Sequence, residues 1–479
     1  MSVTARVIKN SSLLMMASLI NNVMTFILTL FTARYLGTHD FGLISSATSL
    51  VGVFGIFCDL GLSTYAIREV SRNKELTGVY FGTTLLFRVI FTLITFVIYV
   101  VFVSNSNFSG DGTIVMLLFG LYMVFNSFAT FYYSLFQSNE KMKYQTIGNV
   151  IYSTSVLLII LVIIYQGSNV TIVAAGYPIA MFLSCLYSTY IALRYYPKFK
   201  LSFDRLFVKN LFVKGIPFGI TAVFTSIYFW ISLIILTFMS GSIAVGLFSS
   251  AQKLLLVLSS IFTLFNNAVF PIMSDLYTTD RDKLIDLYHK IMKYMLMLGM
   301  AVAVGCCIFS EDIITLVYGV EYIEASTSLT ILIWAGVFMF LTSVCSTLLG
   351  AINKQFTVTK IAGIGAFVSV VLNYLMISNF SYYGASYSTV ITEFSILSLM
   401  LLVLYKTEFK LNLAESVVPI IQIIISNIIM AVVLIYLNQS FIVSVPIAIV
   451  VYVIALFITK AISNEDRQIV LDLLSSLKK

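Results

Sequence analysis

The sequence predicts an all-α polytopic membrane protein of fourteen transmembrane helices, arranged as two six-helix lobes in parallel repeat plus two appended helices. Three observations predict it. Of 479 residues, 59% are hydrophobic and only 10% charged, against about 25% charged in ordinary soluble domains. That leaves too few polar residues to cover the surfaces a soluble chain of this length would expose. Apolar runs near the ~20 residues needed to cross a bilayer recur along the chain. Finally, the basic residues gather on alternate connections.

Taken in order, the runs place helices near 11–32, 41–60, 80–103, 113–137, 145–165 and 171–193. A second set follows near 212–238, 245–270, 290–309, 326–350, 356–377 and 383–405, then 415–437 and 441–459. The first run is too long for a cleaved signal peptide, and no small-residue cleavage site follows it. With the N-terminus cytoplasmic, 25 of the 28 basic residues fall on the inner connections and the two termini. The densest group is Arg194, Lys198, Lys200, Arg205, Lys209 and Lys214. Only Arg34 lies outside, while Arg88 and Lys253 fall within predicted helices. Lys and Arg resist translocation, so both termini are expected in the cytoplasm and the protein in the cell membrane. The net charge of +7 is therefore a topology signal, and it also attracts anionic lipid heads. It is no sign of nucleic acid binding, because the basic residues are dispersed.

Several chemistries are excluded. Cys58, Cys185, Cys306, Cys307 and Cys345 lie in apolar stretches without a CxxC pair, and His39 and His289 stand far apart, so no metal site is expected. No GxxxxGK[ST] occurs, so the chain has no P-loop of its own. No cofactor is expected. The longest outer loop, about 310–325, is acidic (Glu311, Asp312, Glu321, Glu324) but lacks a paired catalytic constellation. Transport is favoured over catalysis.

Residues 35–47 (YLGTHDFGLISSA) and 239–251 (MSGSIAVGLFSSA) share six of thirteen positions at an offset of 204. Both join an odd helix to the next even one, six helices apart, so the repeats run parallel about an axis along the membrane normal. The expected division is an N-lobe 1–194, a basic cytoplasmic linker 195–209, a C-lobe 210–405, appended helices within 406–462, and a cytoplasmic amphipathic tail 463–479. In that tail Ile469, Val470, Leu473, Leu474 and Leu477 line one helical face.

The stretch ARYLGTHDFGLISSATSLVGVFGIFCDLGLSTYAIRE (33–69) resembles the opening of Wzx-type polysaccharide and oligosaccharide flippases, members of the multidrug/oligosaccharidyl-lipid/polysaccharide exporter superfamily. The resemblance continues through VGLFSSAQKLL (245–255), NNAVFPIMSDLY (266–277), ITLVYGVEYIEASTSLTILIW (314–334), LLGAINKQ (348–355) and LNYLMISNFSYYGASYSTVITEF (372–394). It implies a MATE-like fold and translocation of a polyprenyl-phosphate- or diphosphate-linked oligosaccharide from the cytoplasmic to the outer leaflet. Membrane lipids and glycan polymerases or transferases are the implied partners. Many relatives carry an Asp in the seventh helix, where this chain has Ser232, a departure that weakens the resemblance's implication of a proton or sodium site at that position. The rival readings are a cation-coupled multidrug exporter and a non-transporting scaffold of a glycan-assembly complex.

Such a substrate calls for a cationic cavity. Arg88 lies about eight residues into its helix, roughly 12 Å at 1.5 Å per residue. There it either faces a cavity or snorkels. Lys253 is placed similarly from the other side, and Arg34 at a helix end is an interfacial, gating or substrate-facing charge. Glu393, about ten residues into helix 383–405, pairs a cation, binds a coupling ion, or bonds a neighbouring helix. Asp59 is a gating or ion-coupling candidate that also suits the headgroup region. Pro178 and Pro217 mark bends, either hinges or fixed kinks.

Overall fold

The computed structural model describes residues 3–462 apart from 107, 109, 197–198, 203, 411–412 and 438. The predicted tail 463–479 lies outside the described residues, as does part of the 195–209 linker. The described chain is helical almost throughout: α1 (Val3–Phe54), α2 (Leu62–Arg72), α3 (Thr77–Ser104), α4 (Gly110–Ser138), α5 (Met142–Tyr165), α6 (Val170–Tyr195), α7 (Arg205–Met239), α8 (Gly241–Thr279), α9 (Arg281–Ile308), α10 (Ser310–Tyr318), α11 (Ala325–Ala351), α12 (Gln355–Tyr405), α13 (Leu413–Leu437) and α14 (Phe441–Ile458).

Among the described residues, 12 helices are long and apolar enough to cross a membrane. Two of them are broken. In α1, Gly37 takes a left-handed φ of 72°, a conformation glycine adopts without a Cβ penalty. In α12, which has 51 residues, Ser381 sits at φ 51°, ψ −132°. A straight helix of that length would span about 77 Å at 1.5 Å per residue, far beyond a bilayer core of about 30 Å. Beyond the break the chain returns on itself, because a Cβ on Gly384 would overlap the carbonyl of Met376. Two connections read as breaks carry helices of their own. The 11-residue α2 and the 9-residue α10 are too short to span, yet each buries one face, through Tyr65, Ala66 and Val70 in the first and Ile314 and Tyr318 in the second.

One helix, α3, is inside-out relative to those of soluble proteins. On α3 the buried positions are Thr84, Arg88, Thr92, Thr95 and Tyr99, a polar stripe at helical spacing. The opposite face exposes Ile90, Leu93, Ile94, Val97, Ile98 and Val101. Lipid is as apolar as leucine, so burying such a face gains little; helices join instead through small and polar contacts.

Two compact units result. One holds residues 1–250 with 366–385, and the other 251–365 with 386–479. In the first, α4 packs on α6, and Leu43, Ile44, Phe119, Ile160 and Val173 share one buried cluster. Phe81, Phe131, Phe136 and Tyr132 form another. In the second, α9 packs against α11 and α13, with Ala303, Ile333 and Val337 at one contact.

Candidate functional site

The first unit holds a buried ion pair built from one turn and three helices. After α1 ends at Phe54, a single 3-10 turn, Gly55–Cys58, leads into Asp59. The chain then reverses through two left-handed residues, Leu60 (φ 50°) and Gly61 (φ 81°). That turn is held from outside. A Cβ on Gly61 would overlap the backbone N of Gly219, and one on Gly219 would overlap the carbonyl of Leu60. The GIPFG stretch of α7 therefore seats directly on the turn. Its Pro217 lacks an N–H and leaves the Val213 carbonyl without the usual helical donor.

Asp59 Oδ1 accepts from the Ser63 backbone N–H at 3.2 Å and from Ser63 Oγ at 2.6 Å, which caps the start of α2. The same oxygen accepts from Arg88 Nη2 of α3 at 2.8 Å. Arg88 also donates from Nη2 to Ser63 Oγ at 2.9 Å and from Nη1 to Ser127 Oγ of α4 at 3.5 Å. Ser127 and Thr92 hydroxyls bond each other at 2.9 Å, and the Phe131 ring lies 5.9 Å from the guanidinium carbon. The Arg88 side chain is only 4% exposed, Asp59 22%. Arg88 Nε is buried with no hydrogen-bond partner among the described residues. A cation this deep is costly unless paired and hydrogen-bonded, and its partners reach it from neighbouring segments: Asp59 from the turn, Ser63 from α2 and Ser127 from α4.

The sequence treated Arg88 and Asp59 separately; the structure joins them. Arg88 does not snorkel, and Asp59 is turned inward onto it. Arg34 is exposed on α1. Pro178 is buried inside an unbroken α6, and Pro217 is exposed in α7. In the second unit, Lys253 is half-buried on α8. Glu393 of α12 is 3% exposed, and its Oε1 has no hydrogen-bond partner among the described residues. The hydroxyls of Ser388 and Thr392, at neighbouring positions on that helix, are in the same condition.

Sequence reading missed the serines that complete the pair. Ser63 stands four residues after Asp59, and Ser127 only stands out once α4 is laid beside α3. It also missed an apolar cavity of about 640 Å³ in the second unit, lined by Met297, Ala301, Phe309, Met430, Phe441 and Tyr452 among others. The Tyr452 hydroxyl, one of the few polar groups in its lining, donates to the Met297 carbonyl at 2.8 Å. Among the described residues no cluster of His, Cys, Asp and Glu is placed to hold a metal.

Twelve long apolar helices among the described residues, outward hydrophobic faces and, on α3, a buried polar stripe carrying a paired arginine define a multi-pass membrane protein. Residues 7–277 match the polysaccharide biosynthesis protein family, and the chain belongs to that family. The capsular polysaccharide biosynthesis protein CapF of Staphylococcus aureus is 24% identical over 397 residues, covering 81% of this chain and 96% of its own. A putative O-antigen transporter of Shigella dysenteriae is 21% identical over 404 residues, covering 82% and 98%. Among solved structures, the lipid II flippase MurJ in an inward closed conformation superposes with a TM-score of 0.76 at 15% identity, over 92% of this chain and 97% of that one. The two share a fold. The resemblance to Wzx-type flippases carried by residues 33–69 holds.

Proposed function

We propose that this protein is a flippase that moves a polyprenyl-phosphate- or diphosphate-linked oligosaccharide from the cytoplasmic to the outer leaflet of the cell membrane, by alternating access of two six-helix lobes. The observation that carries this reading is Arg88, a permanently charged group kept deep within a spanning helix by one carboxylate and a set of hydroxyls. A guanidinium is a bidentate fork for phosphate. In this state Asp59 occupies that fork, and a substrate phosphate or diphosphate, offering two or more anionic oxygens in bidentate geometry, competes for it. The apolar cavity against α13 and α14 supports the other half of the requirement, a path for an isoprenoid tail.

Fourteen spans and two cytoplasmic termini belong to the same reading. The breaks at Gly37 and Ser381 divide two of the twelve long helices where the sequence places connections. The lobes 1–194 and 210–405, linked by 195–209, are supported by the repeat at offset 204. Arg34 and Lys253 serve as further cationic positions, Glu393 as the coupling-ion or gating acid, and Pro178 and Pro217 as hinges. Glycan polymerases or transferases are the partners such a step would hand its product to.

The test is retention of substrate. Native mass spectrometry of the purified protein should show a bound polyprenyl-diphosphate oligosaccharide that survives collisional activation better than the free polyprenol, with the difference lost in Arg88→Met. Equal retention of both lipids, together with tight binding of a cationic dye, would support the drug-exporter reading instead.

A further inference from the structure

A second buried polar group stands beside the Arg88–Asp59 pair. Thr84 lies four residues before Arg88 on α3, on the same buried face. It is 1% exposed, and its Oγ1 has no hydrogen-bond partner among the described residues. Arg88 Nε is in the same condition. Neighbouring hydroxyls on the helix are engaged. Thr83 Oγ1 accepts from the Ser202 backbone N–H of the linker at 3.1 Å, and the Thr92 hydroxyl pairs with Ser127 at 2.9 Å.

The two unpartnered groups belong together. Residues four apart share a helix face, and a long helical side chain leans back over the turn before it. The rings around the guanidinium agree with that lean. Phe131, 5.9 Å from the guanidinium carbon, packs edge-on against Phe81, one turn before Thr84, at 5.6 Å. The charged head of Arg88 therefore sits back along α3, toward the level of Thr84. A buried hydroxyl without a partner is less favourable than a methyl group in its place. Thr84 thus weakens the fold in this state, which makes sense if another state uses it. Asp59 meets Arg88 at Nη2 through Oδ1 and leaves Nε unpaired. A tetrahedral phosphate has the oxygens to accept from Nη2, Nε and the Thr84 hydroxyl together.

We propose that Thr84 is a substrate-contacting residue: when the phosphate displaces Asp59, the Thr84 hydroxyl and Arg88 Nε both donate to it. The proposal deepens the flippase reading and rests on it. It explains how a phosphate takes a position that Asp59 already holds, because it satisfies two buried donors that the carboxylate leaves unpaired. In the orientation the basic residues predict, Thr84 lies about 6 Å nearer the cytoplasmic face than Arg88, four residues at 1.5 Å each. That is the side from which the substrate comes.

The test compares the full-length parent with Thr84→Val and Thr84→Ser. Thr84→Val keeps the side-chain shape and removes the hydroxyl, so its Tm should equal or exceed the parent's. Its retention of a polyprenyl-diphosphate oligosaccharide in native mass spectrometry should fall about tenfold, the order of one hydrogen bond to a charged group. Thr84→Ser should retain the lipid as the parent does. A lipid-free arm uses inorganic pyrophosphate, which should raise the Tm of the parent and of Thr84→Ser but not that of Thr84→Val. Parent-like retention by Thr84→Val would overturn the assignment. So would a lowered Tm in that variant, which marks a hydroxyl that holds helices together, or equal losses in the valine and serine variants. Should the parent retain the lipid-linked glycan no better than free polyprenol, the flippase reading fails and the pyrophosphate arm decides Thr84: a shift lost only in Thr84→Val upholds the site, and any other pattern overturns it.

Discussion

Removing Asp59 and removing Arg88 should have unequal costs, although the two form one ion pair. In Asp59→Asn the guanidinium stays 4% exposed and loses the one carboxylate paired with it among the described residues. Ser63 and Ser127 cannot replace that charge, and breaking a buried pair in this way costs about 3–5 kcal/mol. The lower end applies, since the 22% exposure of Asp59 admits water from its side. In Arg88→Met the charge left behind is Asp59, which keeps the Ser63 N–H and hydroxyl and that access to water. The loss is then the order of one or two hydrogen bonds, about 1–2 kcal/mol. Pairing Asp59→Leu with Arg88→Met removes both charges and should recover most of the stability lost in Asp59→Asn. The assay is unfolding by SDS in mixed micelles, followed by tryptophan fluorescence. Equal costs for the two single variants, or a double variant no better than the sum, would show that the pair is not the closed, dry unit described.

Three further outcomes follow from the same geometry. Gly219→Ala places a Cβ against the Leu60 carbonyl, backbone against backbone, and should cost about 1–3 kcal/mol, while Gly55→Ala, with open space around it, should be near neutral by the same unfolding assay. Tyr452→Phe removes the second hydrogen bond to the Met297 carbonyl, which keeps its helical one, and should cost about 1 kcal/mol. Asp280 caps α9, and its hydrogen bonds from the Lys283 side chain and backbone hold its carboxyl below the ordinary carboxylate range. A carboxyl depressed in the folded state stabilises above its unfolded pKa, about 3.9, and loses that contribution as pH falls through the lower folded value, so the Tm gap between the parent and Asp280→Asn should be full at neutral pH and shrink progressively below pH about 4.

Much of the architecture was legible in the sequence, because membrane insertion writes itself in composition. Apolar runs marked the long helices, and the Gly37 and Ser381 breaks fall inside or beside the predicted connections 33–40 and 378–382. The helices α2 and α10 were not legible, since too few residues separate the flanking spans for periodicity to register, and only the contacts of Tyr65 or Tyr318 reveal the buried face. Arg88 stood out as a charge in an apolar run, and Asp59 as an acid near a helix end. Their pairing did not, because 28 residues and a reversed turn through Leu60 and Gly61 intervene, and nothing local sets which helix faces which.

The central claim is translocation of a lipid-linked glycan. It is tested most directly by reconstituting the protein in liposomes with a fluorescent polyprenyl-diphosphate oligosaccharide and following its accessibility to an impermeant quencher. The account predicts that exchange between leaflets accelerates over protein-free liposomes and slows in Arg88→Met. No acceleration with several such glycans, in a preparation that transports a cationic dye, would contradict it.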